Sequence, residues 1–128
     1  METVDFIEMK HGTKAEYQLL HQLETQYIRA LPDRLLHALQ RLETSLGGYK
    51  VSRLTHSLQS ATRAEQDGED IEMIVAALIH DIGDELAPEN HSQLAAAVIR
   101  PYVRAEVTWV LEMHGLFQMQ YYAHHNGR

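Results

Sequence analysis

At 128 residues, 45% of them hydrophobic, the chain is sized for one domain, 1–128, with a core but little length to spare. It contains no cysteine, which excludes disulfides, thiolate metal sites and a cysteine nucleophile and suits a reducing compartment. The net charge of −7 sums 18 acidic and 11 basic residues, with the basic ones scattered, so no electropositive face for nucleic acid is expected. The N-terminus carries Glu2, Asp5 and Glu8 without the apolar stretch of a signal peptide, and no apolar run approaches membrane-spanning length. The expectation is a cytoplasmic protein that meets neither membrane nor nucleic acid and acts on a small molecule.

The periodicity is helical almost throughout and predicts an all-α fold of five to seven helices around a buried segment, 71–82. Thr13 with Glu16 forms a capping box that opens a helix reaching about Ala30. Pro32 suits the first turn of a second helix, striped by Leu35, Leu36, Leu39 and Leu42 and ended by Gly47-Gly48. A third runs from near Ser52 to Asp67-Gly68, with Leu54, Leu58 and Ala61 on the side that turns His56 inward. The fourth starts near Asp70 and is apolar nearly all round, which predicts the central helix, with His80 and Asp81 at its end and Gly83 as terminator. Leu86-Ala87-Pro88 reads as a loop, Asn90 as the cap of a fifth helix whose first turn holds His91, and Pro101 as a break. Val103, Val107, Val110 and Leu111 then form a stripe ending at His114-Gly115, and the aromatic stretch from Leu116 to His125 is ambiguous.

Nine residues are histidine. His11, His21 and His37 lie in polar surroundings and read as surface residues. The others with chemical promise are His56, the adjacent pair His80-Asp81 in the run HDIGD, His91 and His114. Imidazole nitrogen and carboxylate oxygen are ligands for iron, manganese and zinc, and a charged Asp beside His inside an apolar helix needs a partner. On one short stretch of backbone, His80 can hold one metal while the two oxygens of Asp81 bridge it to a second. His56 then completes the first pair of histidines, and His91 with His114 serves the second metal. Ligands drawn from separate elements would fasten the bundle at its centre, so metal removal is expected to loosen the fold.

His56 followed by His80-Asp81 resembles the HD-domain superfamily of metal-dependent phosphohydrolases. The runs GYKVSRLTHSLQSATRA (Gly48 to Ala64), AALIHDIGDELAPENHSQLAAAVIRPYV (Ala76 to Val103) and HGLFQMQYYAHH (His114 to His125) narrow the likeness. They resemble HD proteins related to the phosphonate-degrading HD oxygenase, akin to myo-inositol oxygenase. The resemblance implies an HD-domain helical bundle in which His56, His80 and Asp81 bind a first iron and His91 and His114 hold a second, bridged by Asp81. It also implies a mixed-valence pair of two iron ions, with dioxygen attacking a carbon that bears a hydroxyl. In the superfamily a later Asp completes the first metal and relatives continue further, but between His114 and Arg128 there is no aspartate. The expectation is a C-terminally short domain. Water, a Glu or another molecule would fill the first site, and an uncovered apolar face leaves a homodimer open.

Asp84 ends the HDxGx run, where the characterised oxygenases carry a basic residue that contacts substrate. A carboxylate there repels an anion and accepts hydrogen bonds from hydroxyls or an ammonium, so Asp84 joins Asp81 as a candidate catalytic residue, with a solvent-exposed helix terminus as its plain alternative. Tyr49, Arg53 and Gln118 are candidate substrate contacts. For Tyr49 the alternative is simple packing, for Arg53 an ordinary ion pair. Tyr122, His124 and His125 could line the same pocket. The same ligands serve three outcomes: a diiron oxygenase, a phosphohydrolase using Mn, Mg or Zn, or an inactive binding domain.

Overall fold

The computed structural model describes residues 2–114. They form six α-helices and no strand: α1 (Lys14–Arg29), α2 (Leu31–Arg41), α3 (Arg53–Gln66), α4 (Ile71–Ile79), α5 (His91–Ile99) and α6, residues 105–114. Among the described residues no helix is long and apolar enough to cross a membrane. The chain divides into two compact units, one ending at Leu36 and the other starting at His37. Every candidate site residue among the described residues lies in the second.

In the first unit the Thr13 hydroxyl accepts from the Glu16 N–H, and the Glu16 carboxylate accepts in return from the Thr13 N–H. The other Glu16 oxygen takes the Asp5 N–H at 2.7 Å, so one carboxylate ties the N-terminal segment to α1. These backbone donors, Asp5 first, hold the Glu16 carboxyl below its ordinary range. The Arg34 guanidinium lies 3.7 Å over the Tyr27 ring and donates to the Tyr27 carbonyl, bracing the turn between α1 and α2.

The second unit is built around the run from α4 to α5. Asp70 caps α4 by accepting from the Met73 N–H, and Ser52 caps α3 by accepting from the Thr55 N–H. α3 packs on α4, and the first turn of α5 packs on the 3-10 turn Ile82–Asp84. The core joins Leu42, Ala76, Ile79, Ala95, Ile99, Val107 and Leu111. Arg104 reaches the N-terminus of α4, pairing with Asp70 at 2.5 Å and Glu72 at 3.0 Å, which fixes the entry to α6.

Five details depart from the sequence reading. α2 ends at Arg41 and tightens into the 3-10 turn Leu42–Thr44, ahead of Gly47-Gly48, because Leu42 is drawn into the core. On α3 the fully buried position is Ser57, whose hydroxyl returns to the Arg53 carbonyl, whereas Leu58 is exposed. α4 is covered on one face only, leaving Ile71 and Val75, one turn apart, exposed. Asn90 occupies the N-cap position of α5 without a side-chain capping bond.

Gly83 is the fifth departure and bears on the site. α4 already ends at Ile79, and Gly83 does not adopt the left-handed conformation of a helix terminator; among the described residues only Gly48 and Gly68 have positive φ. Its role is close approach. A Cβ on Gly83 would stand 2.8 Å from the Cα and 2.8 Å from the carbonyl oxygen of His91. Glycine lets the backbone carrying His91 lie against the turn that carries Asp81.

Candidate metal centre

Asp81 is the hub. It is 2% exposed, and an unpaired carboxylate so buried would be costly. Four histidines and one arginine face it, supplied by α3 (Arg53, His56), the end of α4 (His80), the start of α5 (His91) and α6 (His114). Its two oxygens are divided between them. Oδ2 lies 3.2 Å from His80 Nε2 and 3.7 Å from His56 Nε2. Oδ1 lies 3.5 Å from His91 Nε2 and 3.8 Å from His114 Nε2.

The result is two groups of three donors, His56-His80-Asp81 and Asp81-His91-His114, each with ligand atoms within 4.8 Å of one another. Ligands about 2.1 Å from one ion at tetrahedral or octahedral angles stand about 3.0–3.4 Å apart. The His56 Nε2 to His80 Nε2 separation of 3.1 Å falls in that range, and the His80 to Asp81 separation beside it does too. The Asp81 contacts to His56, His91 and His114, at 3.7, 3.5 and 3.8 Å, are wider, so the first group stands nearer to ligating geometry than the second, and each of the two groups offers three donors that could hold an ion.

Backbone carbonyls aim the imidazoles. His80 Nδ1 lies 2.6 Å from the Ala77 carbonyl, His114 Nδ1 2.6 Å from that of Leu111, and His91 Nδ1 3.4 Å from that of Pro88. Each contact reaches back three residues. An Nδ1–H donated this way orients the ring and leaves Nε2 facing Asp81, the nitrogen that would be presented to a bound ion.

The electrostatics agree with this arrangement. Burial opposes the Asp81 charge, but the hydrogen bonds from His114 and His80 and the charges of His80 and Arg53 outweigh it and hold the carboxyl far below the usual range. Burial, and then the positive charge of Arg53, push His56 down and favour the neutral ring that a metal accepts. Burial also works against charge on His80, yet the hydrogen bond and the negative charge of Asp81 overcome it and raise His80. Asp84 is pushed up by burial and then by the charge of Asp81.

The candidate substrate contacts lie on one side of the hub. A cavity of about 170 Å³ is bounded by Tyr49, Arg53, Asp84 and His91, with Leu46 and Pro88 as apolar walls. Asp84 is 3.7 Å from His91 Nδ1 and 3.9 Å from Arg53 Nε. Arg53 donates to Asp81 Oδ2 at 2.5 Å, and Tyr49 stacks on its guanidinium at 4.4 Å. The ion pair named as the plain alternative for Arg53 is thus formed, and with a candidate metal ligand. His11, His21 and His37 are exposed. Gln118, Tyr122, His124 and His125 lie outside the described residues.

Leu46 and Pro88 as cavity walls, the buried Ser57 and the close contact of Gly83 were not anticipated from the sequence. The first two flank residues that carry chemistry. The signal for Gly83 was its place two residues after Asp81, just ahead of the loop that returns His91.

An all-helical bundle with a buried His-Asp pair at its centre and histidines converging from neighbouring helices defines an HD-type metal-binding domain. The chain belongs to the HD domain family, which it matches over residues 53–127. It is also similar to [1-hydroxy-2-(trimethylamino)ethyl]phosphonate dioxygenase (glycine-betaine-forming) of Leisingera caerulea. The two are 33% identical over 78 residues, covering 52% of this chain and 40% of that protein. The chain therefore aligns with less than half of the length of this relative.

Proposed function

We propose that the chain provides the two-metal centre of an oxygenase that uses dioxygen to oxidise or cleave a small hydroxylated substrate, with a hydroxyphosphonate among the candidates. The observation that carries this reading is the division of the Asp81 oxygens, Oδ2 toward His56 and His80 and Oδ1 toward His91 and His114. The likeness to a phosphonate dioxygenase supports it. Two irons held there would supply the redox chemistry that dioxygen activation requires.

The chain's own side chains do the rest. Asp81 holds the two groups at a fixed separation, and the carbonyls of Ala77 and Leu111 keep His80 and His114 oriented with Nε2 toward Asp81. Asp84, on the cavity wall, accepts a hydrogen bond from the substrate hydroxyl or faces a cationic group, and Tyr49 forms part of the same wall. At about 170 Å³ the cavity is smaller than the roughly 300–1,000 Å³ of pockets for drug-sized ligands, which suits a small metabolite.

Membership of the HD domain family favours one second reading, hydrolysis of a phosphoester with Mn, Mg or Zn on the same ligands. Oxygen uptake separates the two. Iron-loaded protein, prepared without oxygen, is mixed with [1-hydroxy-2-(trimethylamino)ethyl]phosphonate and a panel of shorter hydroxyphosphonates. The oxygenase reading expects phosphate release that requires dioxygen and consumes it in equal amount. Phosphoester hydrolysis by manganese-loaded protein in the absence of oxygen, with no oxygen uptake on any hydroxyphosphonate, would overturn it.

A further inference from the structure

Arg53 presents a conflict that the metal groups create. Its Nη2 holds Asp81 Oδ2 at 2.5 Å, and Oδ2 is the same oxygen that faces His56 and His80. A cation bound by those two histidines would draw electron density from the same oxygen and weaken the guanidinium's hold on it. The arginine also has an unmet need: its Nε is buried and has no hydrogen-bond partner among the described residues, with Asp84 Oδ2 at 3.9 Å, outside hydrogen-bond reach. Buried donors without acceptors are uncommon and call for an explanation.

Position supplies one. Arg53 is one turn ahead of His56 on α3 and forms a wall of the cavity that also exposes Asp84 and His91. The Tyr49 ring, stacked at 4.4 Å, keeps the guanidinium plane at this wall rather than letting it leave for solvent. The planar fork of arginine is suited to two parallel hydrogen bonds to one oxyanion group. Asp84 on the same wall repels an anion, which leaves Arg53 as the permanent positive charge among the cavity's side chains.

We propose that Arg53 is an exchangeable counter-ion: it neutralises Asp81 in the metal-free chain, releases Oδ2 to the metal, and then binds the oxyanion group of the substrate in the cavity. The proposal rests on the two-metal reading above and goes further by naming the residue that selects an anionic substrate. It also sets the order of binding, metal first and anion second. The source of the oxyanion is a phosphonate, a phosphate or a carboxylate, and the guanidinium fork serves all three.

The full chain can be tested with zinc, which is diamagnetic, and with methylphosphonate, inorganic phosphate and acetate as separate probes. Zinc is added first while the Nε–Hε resonance of Arg53 is followed by NMR, and each anion is then titrated. Zinc is expected to shift the resonance, and one of the anions to shift it again in a saturable way. Arg53→Gln is expected to bind zinc as tightly as the unaltered chain or more tightly. The same variant should weaken the preferred anion about ten- to hundredfold, the worth of a charge-assisted hydrogen bond. Arg53→Lys should recover part of that loss. The anion bound most tightly distinguishes a phosphorus oxyacid from a carboxylate. Zinc binding that leaves the Arg53 resonance in place, or anion binding that is unchanged in Arg53→Gln, overturns the proposal while leaving the metal reading intact. A chain that takes up no zinc overturns both. If the variants do not fold, the resonance of the unaltered chain decides alone.

Discussion

Replacing Gly83 with alanine puts a methyl carbon 2.8 Å from the Cα of His91, 2.8 Å from its carbonyl oxygen and 3.0 Å from its Cβ. Ordinary carbon contacts lie at about 3.5–4.0 Å. The turn and the first residue of α5 must therefore part by about 0.7–1.2 Å, and since backbone atoms are involved no rotamer change relieves the clash. Overpacking of this kind costs about 1–3 kcal/mol, several degrees of Tm for a chain of this size. The displaced residue is the first of the two histidines facing Asp81 Oδ1. Metal sites tolerate errors of about 0.2 Å in ligand distance, so the shift exceeds that tolerance several-fold. Gly83→Ala should lose the metal held by His91 and His114 and keep the one held by His56 and His80. Metal counting by native mass spectrometry beside a thermal melt reads both effects. Gly47→Ala is the control, since nothing lies within 4 Å of its added Cβ. A Gly83→Ala protein with unaltered metal content and Tm would refute the close-approach argument.

Other perturbations follow from the same geometry. Ser52→Ala removes the cap that accepts from the Thr55 N–H at the start of α3, the helix carrying Arg53 and His56. It should cost about 1 kcal/mol in a urea unfolding midpoint. Chelating the metals should lower Tm, because ions present at about a hundred times their dissociation constant contribute about 2.7 kcal/mol per site, and a melt unchanged by EDTA after metal loading would contradict this. Acid should strip the His56-His80 group. His80 is raised above its ordinary value of about 6.5, so protons compete for its Nε2 once pH falls into that range. Metal retention measured from pH 8 to pH 5 should fall with the pH, and retention that improves on acidification would show the sign to be wrong.

The local signals most visible in the chain are also the most informative. Capping residues Thr13, Ser52 and Asp70 mark helix starts through a local hydrogen bond, which a sequence displays directly. His80-Asp81 at the end of an apolar helix signals a buried charged pair, because such a pair needs partners and only His56, His91 and His114 offer the chemistry at comparable apolar positions. What stayed hidden depends on tertiary approach. Gly83 reads as a helix terminator until the position of His91 is known. Leu58, Ile71 and Val75 read as buried because hydropathy gives a face without saying what covers it. Arg53 reads as a substrate contact or an ordinary ion pair, and that its partner is Asp81 Oδ2 depends on how α3 and α4 pack. The carbonyls of Ala77 and Leu111, which orient two imidazoles, are backbone atoms without a side-chain signature.

The account turns on one carboxylate serving two ions, and the metal content of single-ligand variants tests this most directly. Iron is loaded anaerobically and counted per chain by native mass spectrometry for the unaltered protein, His56→Ala, His91→Ala and Asp81→Asn. Two ions are expected in the unaltered chain, one in each histidine variant and none firmly held in Asp81→Asn, since only Asp81 belongs to both groups. One ion in the unaltered chain, or two retained in Asp81→Asn with the fold intact, would contradict the shared-carboxylate centre.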